Sequence, residues 1–177
     1  MTIPNLITMV RLVLVPVVVV AIGQGWWGTA FALFAVAGVS DGVDGFIARR
    51  FDMRSELGAY IDPLADKALL VSIYVTLAIV GVLPAWVAIA VVSRDLMIVA
   101  AFLITRLMDR TMEIRPLMVS KLNTAVQIAF AGLVLGSLAF SVDLGWLLPA
   151  TMWLVAALTV ISAAAYLPRW MRHMPGS

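Results

Sequence analysis

Cysteine is absent from this chain and histidine occurs once, as His173 close to the C-terminus. The first absence excludes disulfides, thiol nucleophiles and thiolate metal sites. The second leaves no histidine for acid–base work inside the body of the chain. Charge is scarce as well: 12% of the residues are charged against 63% hydrophobic, and the mean hydropathy is +1.07. A soluble domain of 177 residues needs far more polar surface than that. No repeat, low-complexity segment or long polar linker divides the chain, which reads as one domain over residues 1–177. The net charge of +2 and a pI near 9.4 would suit a nucleic-acid partner. The basic residues sit instead at the ends of apolar segments, as membrane topology requires, so no nucleic acid is expected.

What is present is a series of apolar runs near the 20 or so residues that cross a bilayer. Six spans can be drawn, at 5–23, 28–49, 57–81, 85–106, 117–141 and 146–167. This predicts an all-α integral membrane protein of six transmembrane helices. The connections alternate: 23–28, 81–85 and 141–146 hold no Lys or Arg, whereas the others carry Arg49, Arg50, Arg54, Arg106, Arg110 and Arg115. The positive-inside rule then puts both termini in the cytoplasm. Trp26, Trp27, Trp86 and Trp146 fall at the uncharged ends and read as an interfacial aromatic belt. Residues 107–116 form either a short surface helix or an irregular loop before Pro116.

Four aspartates break this pattern. Asp41, Asp44, Asp62 and Asp66 lie in or beside apolar sequence, where a carboxylate is expensive and marks function by default. They are nearly symmetric about residue 53. A helical hairpin turning there brings them level, about 10–18 Å along the helices from the turn at ~1.5 Å per residue. Asp41, Asp44, Gly45 and Ala48 are spaced i, i+3, i+4, i+7, and Gly58, Asp62 and Asp66 by fours, so each set shares a face. Four such charges cannot all stay ionised in low dielectric without cations, and Lys67 alone does not balance them. Oxygen-only ligands select a hard cation, Mg²⁺ or Mn²⁺ with Ca²⁺ as a further option, and four carboxylates leave room for two ions clamping a phosphate or pyrophosphate. Gly45, Ala48 and Gly58 either admit a ligand to the backbone or only let helices pack closely.

The pattern D-x-x-D-G-x-x-A-R, eight residues, G-x-x-x-D-x-x-x-D resembles the signature of the CDP-alcohol phosphotransferases at every position: Asp41, Asp44, Gly45, Ala48, Arg49, Gly58, Asp62, Asp66. The resemblance implies a six-helix membrane enzyme, usually a homodimer, that moves a phosphatidyl or similar group from a CDP-linked donor to an alcohol and releases CMP. It also implies that Asp41, Asp44 and Asp62 bind metal and that Asp66 is the general base and touches metal. By the same resemblance Gly45, Ala48 and Arg49 line the CDP site, to which Asp41 and Gly58 also belong. The opening IPNLITMVRLVLVP is similar to members acting on glycerol-type phospholipids. There Asn5, Thr8 and Arg11 share a face and either meet the donor or do structural work, Asn5 as a cap and Arg11 by snorkelling.

The acceptor has to be read from two further polar islands: Ser93, Arg94 and Asp95 in span four, and Ser120, Lys121, Asn123, Thr124 and Gln127 opening span five. Arg94 and Lys121 are candidate phosphate-binding cations, and Asn123 joins them as an acceptor contact. The alternative for Arg94 is an ion pair with Asp95 or a cluster aspartate. The stretches VVSRDLMIVAA, RPLMVSKLNTAVQI and LGAYIDPLADKALL resemble the CMP-forming, eukaryotic-type cardiolipin synthases. That resemblance implies CDP-diacylglycerol and phosphatidylglycerol as substrates. Asn123 stands where phosphatidylglycerophosphate synthases resembling this chain carry a second lysine, and glycerol 3-phosphate, nearly a dianion, would favour that extra cation.

A phosphatidylglycerophosphate synthase is the competing reading within the family, and a cation- or proton-coupled transporter is the competing reading outside it. Transporter sites usually lie at the midplane between repeats, whereas this cluster sits towards the charged ends and has no counterpart in the second half. The apolar N-terminal run has Arg11 inside it and no small-residue cleavage site, which predicts no cleaved signal. The expected location is a bacterial inner membrane, with the active site on its cytoplasmic side.

Overall fold

The computed structural model describes the backbone of residues 3–51, 56–107 and 118–171, and side-chain surroundings at 9–40, 65, 67–100 and 118–165. These residues form six helices and no strand: α1 (Ile3–Gly23), α2 (Trp27–Phe51), α3 (Glu56–Ile79), α4 (Ala85–Leu107), α5 (Met118–Phe140) and α6 (Leu147–Met171). Each holds 21–25 residues, or about 32–38 Å at ~1.5 Å per residue. The expected charged segment 107–116 lies outside the described residues apart from Leu107, which ends α4.

The three connections without Lys or Arg are short because the helix ends close on themselves. After α1, Trp26 N donates to Ala21 O and Gly25 N to Ile22 O, with Gly25 at φ +70°. After α3, Val82 N donates to Leu77 O and Gly81 N to Ala78 O, with Gly81 at φ +78°. This pair of bonds around a left-handed residue satisfies carbonyls that a helix end leaves open. After α5 the left-handed position is Ser141, at φ 53°, and Val142 N donates to Ser137 O.

Neighbouring helices trace a closed ring, α1–α2–α5–α6–α4–α3 and back to α1, and α3 also touches α5 across it. The core lies inside the ring. Each helix contributes positions three or four apart, such as Ala30, Phe34 and Ala37 of α2 or Ile73, Tyr74 and Leu77 of α3. α5 offers Gly132 and Gly136 to α2. A Cβ at Gly132 would stand 3.3 Å from Phe34 Cε1, and one at Gly136 3.3 Å from Phe31 Cε2. The missing side chains are therefore the seats of two phenylalanines.

The outside of the ring is apolar and much of its inside is polar. Val13, Ile79, Ile89 and Val160 are exposed, whereas Arg11, Arg94, Asp95, Asn123, Gln127, Thr159 and Ser162 are buried. In water this arrangement would lose hydrophobic stabilisation at about 25 cal/mol per Å² and desolvate charge as well. In lipid the exposed face costs nothing and the buried charges gain partners. Met118–Phe140 and Leu147–Ala165, with mean hydropathies of 1.6 and 1.9, are long and apolar enough to cross a membrane. Trp26, Trp86 and Trp146 are exposed near the uncharged ends, as an aromatic belt requires. Trp27 departs from that expectation: it is half-buried against the core.

Candidate active site

α2 runs without a break through Asp41, Asp44, Gly45, Ala48 and Arg49, and α3 through Gly58, Asp62 and Asp66. Helical register therefore keeps each set on one face, as the spacing predicts. α1 packs against both helices and carries Asn5 and Thr8. The surroundings of Asn5, Thr8, Asp41, Asp44, Gly45, Ala48, Arg49, Gly58, Asp62 and Asp66 lie outside the described residues, as do residues 52–55. Arg11 is 2% exposed, so its side chain lies inside the bundle and does not reach the lipid-facing surface.

Next to this motif the structure assembles a polar interior from α3, α4, α5 and α6. Its centre is Asp95, 1% exposed. Asp95 Oδ1 accepts from Arg94 Nη1 at 2.7 Å, and Oδ2 from Lys67 Nζ at 2.9 Å. Arg94 also donates to Ser162 Oγ from Nε (3.1 Å) and Nη2 (2.8 Å), and from Nη2 to the hydroxyl and carbonyl of Ser120. One guanidinium thereby ties α4 to α5 and α6. Of the two expectations for Arg94, the ion pair with Asp95 is the arrangement formed. The physical reason is burial: at 3% exposure an unpartnered guanidinium would be far too costly.

A second layer lies along α5. Tyr74 Oη donates to the Gln127 carbonyl at 2.9 Å, Gln127 Nε2 to Thr159 Oγ1 at 3.3 Å, and Thr159 Oγ1 to Asn123 Oδ1 at 3.2 Å. Asn123 is fully buried, whereas Lys121 is exposed. The three residues expected at the acceptor thus occupy different depths, with Lys121 at the surface and Arg94 and Asn123 in the wall behind it.

Lys67, Tyr74, Thr159 and Ser162 were not expected in this network. Lys67 and Tyr74 are seven apart on one face of α3, and Thr159 and Ser162 are polar residues three apart on apolar α6. Those spacings were the available signal. Among the described residues no group of three His, Cys, Asp or Glu can hold a metal. The motif fits a hard cation by the chemistry of its donors, four carboxylates on two helices that α1 holds together.

A model of the CDP-alcohol phosphatidyltransferase family matches residues 1–163. The chain belongs to this family. Its members are membrane-associated enzymes that generally depend on divalent cations. Membership sets aside the transporter reading. A Drosophila melanogaster protein named probable cardiolipin synthase (CMP-forming) is 37% identical over 153 residues, 77% of this chain and 48% of the relative. The human cardiolipin synthase (CMP-forming) is 35% identical over 156 residues, 79% of this chain and 52% of the relative. A probable phosphatidylglycerophosphate synthase of Mycobacterium tuberculosis is 35% identical over 181 residues, 97% of this chain and 83% of the relative. The chain spans about half the length of the two animal relatives.

Proposed function

We propose that the protein transfers a phosphatidyl group from CDP-diacylglycerol to phosphatidylglycerol, forming cardiolipin and releasing CMP. The observation that carries this reading is the similarity to CMP-forming cardiolipin synthases over more than three quarters of the chain, 77% and 79%. Asp41, Asp44, Asp62 and Asp66 hold two divalent cations, Mg²⁺ or Mn²⁺. Cations held there would neutralise the donor pyrophosphate and make CMP a good leaving group. Gly45, Ala48, Arg49 and Gly58 line the CDP site together with Asn5 and Thr8. Asp66 accepts the proton of the acceptor hydroxyl as its oxygen attacks the donor phosphorus. Lys121 meets the acceptor phosphate at the surface of α5, and Arg94 and Asn123 shape the wall behind it.

The protein acts as an integral membrane homodimer of six-span subunits. Both termini and the motif face the cytoplasm, and the membrane is a bacterial inner membrane. The apolar exterior of the ring and the arginine-free turns at one end support this placement.

A second reading, phosphatidylglycerophosphate synthase with glycerol 3-phosphate as acceptor, is favoured by the M. tuberculosis relative, which matches nearly the whole chain. One assay separates the two. Purified protein receives labelled CDP-diacylglycerol, Mg²⁺ or Mn²⁺, and one acceptor at a time. Cardiolipin from phosphatidylglycerol is the expected product. Phosphatidylglycerophosphate alone would establish the second reading, and no CMP release with either acceptor would refute both.

A further inference from the structure

Among the described residues the buried ion cluster holds two cations to one carboxylate. Lys67 and Arg94 bring two positive charges, and among the described residues Asp95 is the sole carboxylate within ion-pair distance of either. Arg94 is sealed in the wall, with hydrogen bonds to Asp95, Ser120 and Ser162. Lys67 is different. Its side chain keeps 20% of its surface accessible. Of its three ammonium protons one goes to Asp95 at 2.9 Å and one, weakly, to Thr124 Oγ1 at 3.5 Å. The third has no partner among the described residues. An accessible ammonium, held by Asp95 and with a donor to spare among the described residues, suits an anion.

Direction narrows which anion. Lys67 follows Asp66 directly and so points about 100° around α3 from it. Its partners are on α4 (Asp95) and α5 (Thr124), whereas α2, with the other half of the motif, packs on α1 and α5. Thr124 lies three residues beyond exposed Lys121, on the same side of α5. An anion on Lys67 is therefore next to the motif but on the α4–α5 side.

We propose that Lys67 binds the phosphate of the acceptor, with Asp95 as its positioning residue. This rests on the proposed transferase reaction. Asp95 holds the ammonium at a fixed point, and Thr124 limits its swing. The ligand class is an alcohol bearing a phosphate, whether a lipid phosphodiester or a soluble phosphomonoester.

The test uses the full-length protein in detergent with divalent cation, and dioctanoyl phosphatidylglycerol and glycerol 3-phosphate as separate acceptors. Loss of a charged hydrogen bond predicts that Lys67→Gln raises KM for the acceptor in use about tenfold or more. KM for CDP-diacylglycerol stays within about twofold, a split that general destabilisation would not give. A rise in donor KM instead, or no change in either, overturns the proposal. Should Lys67→Gln not fold, amine acylation of the wild-type protein followed by peptide mass spectrometry gives the answer. Dioctanoyl phosphatidylglycerol or glycerol 3-phosphate should protect Lys67, and zwitterionic phosphatidylcholine should not. Equal labelling of Lys67 with and without both anionic acceptors overturns it. Wild-type protein that protects Lys67 yet forms neither product would refute the transferase reading and leave Lys67 as an anion ligand.

Discussion

Arg94 and Asp95 are consecutive on α4, so their Cβ atoms diverge by about 100° around the helix, yet Nη1 and Oδ1 meet at 2.7 Å. The arginine curls back over the helix because both ends are buried and each is the other's nearest compensating charge. Asp95→Leu leaves Arg94 uncompensated and is expected to cost about 3–5 kcal/mol. Arg94→Met together with Asp95→Leu removes both charges of this pair and should recover part of that loss, the remainder being the Lys67 ammonium left without Asp95. Equilibrium unfolding in mixed micelles measures both. A double variant as unstable as Asp95→Leu would assign the loss to Lys67 and not to Arg94.

The two glycines of α5 should respond differently to alanine. Alanine gains about 1 kcal/mol of helix propensity over glycine. At Gly132 the new Cβ meets Phe34, buried in the core, and overpacking of about 1–3 kcal/mol outweighs that gain. At Gly136 it meets Phe31, half-buried and edge-on to Phe140 at 5.5 Å at the rim of the ring, where the phenyl can shift. Gly132→Ala should therefore unfold more readily than wild type, and Gly136→Ala should match or slightly exceed it. The opposite order would mean that Phe34 has more room than its burial implies.

Ser141 carries the left-handed turn after α5 that Gly25 and Gly81 carry after α1 and α3. A non-glycine residue there costs about 1–2 kcal/mol, and glycine returns part of this as unfolded-chain entropy. Ser141→Gly should stabilise the fold by about 0.5–1 kcal/mol. Gly81→Ala should destabilise it by a comparable amount, as thermal melts would register.

Chelation is expected to stop CMP release, and added Mg²⁺ or Mn²⁺ to restore it. With Asp66→Asn, turnover should fall by about 10²–10⁴-fold, the usual contribution of a general base, while CDP-diacylglycerol still binds. Binding measured on the metal-loaded variant separates the two effects. Substantial turnover by a pure Asp66→Asn preparation removes Asp66 from the role of base.

Much of this architecture was legible without coordinates. A span drawn at 85–106 is a helix at Ala85–Leu107, and one drawn at 117–141 is Met118–Phe140. Apolar run length and the Gly and Pro punctuation between runs carry that information locally. The span drawn at 146–167 is less accurate, because α6 continues to Met171. Backbone hydrogen bonding persists past the point where hydropathy falls. At the site, the periodic spacing of Asp41, Asp44, Asp62 and Asp66 predicted two helical faces, and α2 and α3 run unbroken through both sets. Of the partners of Arg94, the adjacent Asp95 was legible as an alternative, whereas Ser162 was beyond reach, because it is 68 positions away and nothing near either residue marks the other.

The order of apolar and charged segments determined the helices, and the carboxylate spacing determined the family. Which helices became neighbours was decided only in three dimensions. The ring runs α1–α2–α5–α6–α4–α3, which is not chain order, and it sends Lys67 to Asp95 and Arg94 to Ser120 and Ser162. Hydropathy cannot choose among helices that are all apolar, and lipid supplies little hydrophobic force to sort them. The choice falls to close packing, as of Phe31 and Phe34 on Gly136 and Gly132, and to the pairing of the few polar groups inside.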